Sequence, residues 1–446
     1  MSFRAAALTV ALAAAMLAAV PPAQAAEPGV VPDLNWGTST ADQDRTAAAI
    51  RDVGARWVRL HVQWKYWEPN GPLADVVDNG SRRSTDRAVQ LARGAGAKVI
   101  VMVYNAPAWA AARTSSEGST PRDPAEYAAF VRRLAAHYRG QVEAYEVWNE
   151  PDLQRFWAGG PNPTAYTALL RAAYPAIKAG DPSAKVVFGG LSWDYAGFLG
   201  RAYAAGAKGF FDVMAVHPYQ SAAPNATWRT WYGQARQTML QNGEDKPVWF
   251  TEWGYNTSTK VRNSTGDWQT GVSETTQAAY LTAGLTMLEQ DPWVEVVLWY
   301  NFRNNYWQND ADEVEARFGL LRSDFSRKPA YDAFKAYASA AAPVPPSPTV
   351  PPPPPSLGIP EVTITAPRIA STFSRSLRVI ASATDDVRVT RLEAWIDGKL
   401  VKTTTSSSLD FWWGGAKKAS PGPHTVLVVA YDAAGLAGRA SVVVTK

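Results

Sequence analysis

The 446-residue chain contains no cysteine and only four histidines. This excludes disulfide scaffolds, thiol nucleophiles, Cys-ligated zinc and lipid attachment through Cys. Charge of one sign is also lacking. The 44 Lys and Arg nearly balance the 40 Asp and Glu, leaving +4, and the basic residues are scattered singly. That argues against a nucleic-acid footprint. Beyond residue 25 no apolar run is long enough to span a bilayer. At 46% hydrophobic residues a sizeable core is available and disorder is excluded for most of the chain. What is abundant is tryptophan: 19 in all, 16 of them before residue 310.

Residues 1–25 read as a secretory signal. Arg4 supplies the positive start, an apolar run follows from Ala5 to Val20, and Ala23-Gln24-Ala25 forms an A-x-A cleavage site. The mature protein is expected to begin near Ala26 and to be secreted. Residues 340–360 are rich in proline and cannot form helix or inner strand. They predict a polyproline II linker, roughly 60 Å long if extended at ~3.1 Å per residue. Residues 361–446 alternate in the β manner, as in His424-Thr-Val-Leu-Val-Val-Ala, with turns at Asp397-Gly398 and Pro421-Gly422. An immunoglobulin-like sandwich is expected there. In it Trp395 reads as core, whereas Trp412 and Trp413 could touch sugar.

Between residues 26 and 339, apolar strand patterns alternate with helical ones. Strands are predicted at 57–61, 98–103, 142–147, 185–189, 213–217, 247–251 and 294–299, with a short first strand near Leu34-Asn35-Trp36-Gly37. Eight such units in this length describe an α/β fold of the (β/α)8 TIM barrel class. An open doubly wound sheet is the alternative, but no Gly-rich phosphate loop follows the first strand.

The chemistry concentrates at two strand ends. The fourth ends in Trp148-Asn149-Glu150-Pro151 and the seventh in Thr251-Glu252-Trp253-Gly254. The two Glu are 102 residues apart, three units of 34, which places two carboxylates over one barrel mouth. Glycoside hydrolysis needs such a pair, one carboxyl protonating the leaving oxygen and the other attacking the sugar carbon. Stacking of sugar faces on indoles would account for the tryptophan excess. Trp64, Trp67, Trp157, Trp193 and Trp307 all lie at or beyond predicted strand ends.

These two motifs resemble the signatures of the large clan of retaining glycosidases with acid/base on strand four and nucleophile on strand seven. Within that clan the resemblance is nearest to glycoside hydrolase family 39 and related endo-acting enzymes. It implies Glu150 as acid/base and Glu252 as nucleophile. It also implies that Asn149 binds the sugar 2-hydroxyl, that Tyr219 (in His217-Pro218-Tyr219) supports the nucleophile, and that Arg59 stands beside it. Trp299 would form an aromatic floor, and Asn105 and Trp109 would contribute subsite contacts.

The expected activity is retaining cleavage of a polysaccharide, endo-acting on the strength of the many rim aromatics. An exo-acting, xylosidase-like enzyme and a non-catalytic carbohydrate-binding or adhesion protein are the alternatives. No cofactor and no metal is expected. The acidic residues Asp310, Asp312 and Glu313 lack EF-hand spacing and read as a solvated loop. His61 and His137 lack metal-ligand spacing. The expected partner is a polysaccharide or oligosaccharide, with no nucleic acid and no membrane span in the mature protein, and a monomer is expected.

Overall fold

The structure is a computed structural model describing residues 25–72, 80–260, 269–304, 312–340, 360–368, 370–385, 388–432 and 437–446. Residues 1–24 of the signal segment, most of the proline-rich linker, Trp307 and Asp310 lie outside the described residues. The described residues divide into two compact units, one within residues 25–69 and 80–340 and one from residue 360 onward.

In the first unit eight parallel strands close on themselves: β1 (Glu27–Val30), β2 (Trp57–Gln63), β3 (Lys98–Tyr104), β4 (Ala144–Asn149), β5 (Lys185–Leu191), β6 (Val213–Val216), β7 (Val248–Trp253) and β8 (Val294–Trp299). Each is followed by a helix: α1 (Thr40–Val53), α2 (Gly80–Gly94), α3 (Pro124–His137), α4 (Pro163–Gly180), α5 (Tyr195–Ala204), α6 (Ala226–Gln241), α7 (Glu274–Leu288) and α8 (Pro329–Ala340). This is the TIM barrel that the alternation of patterns predicts. The helix starts are written into the sequence. Ser39, Asp123, Asn225 and Ser273 each accept a backbone N–H of the first turn, satisfying donors that have no partner inside the helix.

One strand departs from expectation. The first lies at Glu27–Val30, not at 34–37; Leu34 to Gly37 form the loop beyond it. A four-residue segment holding Pro28 and Gly29 carries little β signal of its own. Its place is set by pairing with Val296–Trp299 on one side and Trp57–Val58 on the other. Gly29 is required there, because a Cβ would sit 2.3 Å from Leu298 Cδ2 and 2.6 Å from Trp57 Cβ.

Two apolar layers result. Inside the barrel, Val31, Trp57, Ile100, Ala144, Val187, Val213, Ala215, Trp249, Val296 and Leu298 form one buried cluster. Trp57 and Trp249 meet at 4.9 Å between ring centroids, and small Ala144 and Ala215 leave them room. The second layer lies between strands and helices, and it takes Trp64, Trp148, Trp157, Trp228, Trp253 and Trp299. Most of the tryptophan excess is therefore core: each fully buried side chain of this size contributes a few kcal/mol, on the order of 3.

The second unit has β9 (Glu361–Ala366), β10 (Arg378–Thr384), β11 (Val389–Ile396), β12 (Lys399–Thr404), β13 (Ser408–Trp412), β14 (Pro423–Asp432) and β15 (Ala437–Thr445). They form antiparallel sheets of three (β9-β10-β13) and four (β12-β11-β14-β15) strands. This is the expected sandwich. Leu392, Ala394 and Ile396 face its core, so the strand period turns Trp395 to the opposite face, where it is only half-buried. Trp412 is exposed.

Candidate active site

All eight barrel strands point their C-terminal ends at one mouth, which holds a cavity of about 770 Å³. At the end of β4 the backbone leaves the strand through two left-handed residues, Trp148 (φ 78°) and Glu150 (φ 38°). Consecutive strand residues otherwise point to opposite faces. This twist brings both Asn149 and Glu150 to the cavity wall. Glu252 enters from the end of β7. One oxygen of each Glu and a ring nitrogen of His217 lie within 4.8 Å of one another.

Each carboxylate has its own surroundings. Arg59, fully buried on β2, donates from Nη1 to Glu252 Oε1 at 2.5 Å, and from Nη2 to Asn149 Oδ1 at 2.9 Å. That second bond leaves the Asn149 amide N–H groups facing the cavity. Tyr219 donates its hydroxyl proton to Glu252 Oε2 at 2.8 Å. Burial pushes the Glu252 carboxyl up, but the positive charges of His217 and Arg59 and the Tyr219 bond outweigh it and hold the group at about 2. Glu150 is different. Burial lifts its carboxyl above the ordinary value, against the downward pull of His217, whose Nδ1 lies 2.9 Å from Glu150 Oε1. His217 is itself raised, because the negative charges of Glu252 and Glu150 overcome its burial. Glu150 and His217 thus hold a proton in the range where Glu252 has none.

The trio of Glu150, His217 and Glu252 has the proximity a metal ion needs. Both oxygens of Glu252 are already taken by Arg59 and Tyr219, and the guanidinium beside them opposes a second cation.

The structure brings Glu150, Glu252, Asn149, Arg59, His217 and Tyr219 together. Three expected contacts lie elsewhere. Trp299 is buried in the layer between strands and helices, where it donates to the Phe318 carbonyl at 3.0 Å. The strand period explains this: Val296 and Leu298 face the barrel interior, so the next inward residue is Tyr300, which lines the cavity. Asn105 is fully buried and spends its amide on Gln63 Oε1 and the Ser116 carbonyl, while its Oδ1 accepts the Ser119 N–H. It organises a loop. Trp109 packs edge-on against Trp64 and donates to the Glu68 carbonyl.

Among the rim tryptophans named from sequence, Trp193 faces the cavity and is 65% exposed. Sequence reasoning missed others. His61 lines the cavity, 3.1 Å from Arg59 Nη1, and burial and then that guanidinium push it down to about 3. Trp36, on the loop after β1, and Tyr66, in the short helix Trp64–Trp67 after β2, pair at 4.9 Å; Trp193 and Trp231 pair at 5.7 Å on elements after β5 and β6. Arg155, after β4, pairs with Glu117, after β3, and with Glu315, after β8, at 3.2 Å from the latter. Asp312 accepts the Thr259 N–H and Glu313 pairs with Lys260.

Residues 23–305 match the family described as cellulase (glycosyl hydrolase family 5), and residues 360–428 match a bacterial Ig domain. No curated protein sequence matches the chain. Among solved structures, a family 39 glycoside hydrolase from Bacteroides cellulosilyticus WH2 aligns with a TM-score of 0.56 at 19% identity, over 88% of this chain and 79% of that one. A β-xylosidase from Caulobacter crescentus CB15 aligns with a TM-score of 0.53 at 15% identity, over 92% and 76%. A β-glucuronidase from Bacteroides uniformis aligns with a TM-score of 0.48 at 14% identity, over 95% of this chain, which spans only 46% of that protein's length. At these identities the structural likeness speaks for the fold alone. The match over residues 23–305 covers more than half of the 446 residues: the chain belongs to the cellulase family, glycosyl hydrolase family 5, and is a glycoside hydrolase.

Proposed function

We propose that the protein is an exported, endo-acting glycosidase that cleaves a polysaccharide with retention, through a covalent intermediate on Glu252. The observation that carries this reading is the spacing of the two carboxylates. Oxygens within 4.8 Å suit direct attack on the sugar; retaining pairs are about 5–5.5 Å apart, whereas inverting pairs leave roughly 6.5–9.5 Å for a water. Glu252, ionised and acceptor-only, attacks the anomeric carbon. Glu150 delivers its proton to the leaving oxygen, then takes one from the water that releases the sugar. Asn149, with its acceptor occupied by Arg59, has only N–H to offer, which suits the 2-hydroxyl of the reacting sugar.

Endo action is supported by the two aromatic pairs. In a closed eight-stranded barrel, strands one and two stand opposite strands five and six. Trp36 with Tyr66 and Trp193 with Trp231 therefore flank the mouth from opposite sides. A chain of sugars stacking on both would pass over the carboxylates in mid-chain. Export is supported by the sequence of residues 1–25 and by the bacterial Ig domain. No helix among the described residues is long and apolar enough to cross a membrane.

The test is trapping followed by product analysis. Activated 2-deoxy-2-fluoro glycosides of several hexoses and pentoses should yield one adduct, mapped to Glu252 by peptide mass. Digestion of a polysaccharide panel should give a ladder of oligosaccharides early. Inversion of the anomeric centre by proton NMR would overturn the retaining reading. A single sugar released from the first minutes would overturn the endo reading.

A further inference from the structure

We propose that Glu146, which touches neither reacting carboxylate, positions both of them through two arms that start at its two oxygens. The inference rests on the assignment of Glu150 and Glu252 above. Glu146 lies on β4, four residues before Glu150, and is fully buried. A carboxylate inside a barrel is costly unless every oxygen is bonded. Here every bond leads toward the reaction centre.

The first arm begins at Oε2, which accepts Arg59 Nε at 2.6 Å. With Nε held, the planar guanidinium has one orientation left, and it sends Nη1 to Glu252 and Nη2 to Asn149. The second arm begins at Oε1, which accepts the Thr251 hydroxyl at 3.0 Å and the Gly190 N–H at 2.9 Å. The Thr251 proton is spent on Glu146, so its oxygen can only accept from His217 Nε2, 3.0 Å away. Nε2 therefore carries hydrogen, and Nδ1 is the nitrogen that shares a proton with Glu150 Oε1. Glu146 thus fixes the ring's tautomer at one end so that the other end serves the acid.

The charges around this shared proton come from every packed element. Glu146 faces it from β4, with Oε1 3.9 Å from His217 Nε2. Glu252 faces it from β7, with Oε2 3.8 Å from Nδ1. Arg59 faces it from β2, where His61, held at about 3, adds no charge, and Asp152 faces it from the turn after β4. Removing the Glu146 charge leaves the cations less opposed, so the shared proton is released at lower pH. Glu146→Gln also cannot satisfy both arms, since its NH2 must meet either the Arg59 guanidinium or the Thr251 and Gly190 donors.

The experiment measures pH profiles of kcat/KM for wild type, Glu146→Gln and Thr251→Val, on an activated aryl glycoside and on a polysaccharide substrate. Thermal melts check folding. Glu146→Gln should move the basic limb down by about one pH unit or more, as expected for a charge ~4–6 Å away, and slow both substrates about 100-fold. Thr251→Val cuts one arm only. It should move the basic limb and cost about tenfold on polysaccharide, against about twofold on the aryl glycoside. Basic limbs that stay in place in both folded variants would overturn the inference, as would equal losses of Thr251→Val on the two substrates. If Glu146→Gln does not fold, Thr251→Val decides. A wild-type enzyme that gives no adduct on Glu252 would overturn the parent assignment as well; an adduct with unmoved limbs sinks this inference alone.

Discussion

The Tyr219 hydroxyl lies 2.8 Å from Glu252 Oε2 and donates its proton there. Burial, then the negative charge of Glu252, lifts the phenol well above its ordinary value, so it stays a donor at every working pH. Activity should require Glu252 ionised, and the group sits at about 2. The acid limb of kcat/KM should therefore lie below the ordinary glutamate range of about 4. Tyr219→Phe deletes a hydrogen bond to a charge, worth about 1.5–3 kcal/mol. It should raise the Glu252 value, moving the acid limb up by about one to two pH units with little change in the basic limb. A pH–rate profile of the variant with an unmoved acid limb would contradict the assignment.

Glu150→Gln removes the transferable proton and keeps the shape. Acid–base assistance contributes ~10²–10⁴-fold. Losses in that range are expected on polysaccharide, with a far smaller loss on aryl glycosides whose leaving groups need no proton. Glu252→Gln should abolish turnover of both. Steady-state rates on the two substrate classes decide this, and equal losses for Glu150→Gln would speak against its role.

The barrel was legible in the sequence because buried parallel strands are near-continuous apolar runs, and seven of them stand out. The first strand was not legible, since register against Trp57 and Val296 holds it in place rather than its own residues. The carboxylate pair was legible from its stride. Trp299 was misplaced by one residue, and strand parity would have pointed to Tyr300, two positions beyond inward-facing Leu298. Glu146 carried the same signal, an acid inside an apolar strand, but its partners Arg59, Thr251 and Gly190 come from three other strands that no sequence spacing links. Trp36 and Trp231 lie on loop and helix, where no period tells a sugar-facing indole from a packed one.

Trp193 is the most exposed of the four flanking aromatics. Its loop is held by Asp152, which accepts the backbone N–H of Ser192, Trp193 and Asp194. Trp193→Ala should leave small aryl glycosides almost unaffected and raise KM for long oligosaccharides about fivefold, as expected for loss of ~1 kcal/mol of stacking. Its product ladder should shift in length. An unchanged ladder would remove Trp193 from the path of the substrate.

Gly190 has no room for a side chain. A Cβ there would sit 2.1 Å from His217 Nε2. Gly190→Ala should push the imidazole off Thr251 and Glu150, and cost about 100-fold on polysaccharide, with a smaller loss on activated substrates. Comparing the two rates in a variant whose fold is verified by circular dichroism checks this.

The ion pair between Arg155 and Glu315 joins loops that follow the fourth and eighth strands, which stand across the barrel from each other. A polymer lying over the carboxylates would have to slip under or unfasten this pair, while a small glycoside would not. Both side chains are partly exposed, and added salt weakens such pairs, since the Debye length falls from about 10 Å at 0.1 M to about 3 Å at 1 M. Raising ionic strength, or Arg155→Ala, should speed polymer cleavage relative to aryl glycoside cleavage. A rate ratio that ignores both would mean that long chains reach the carboxylates without disturbing the pair.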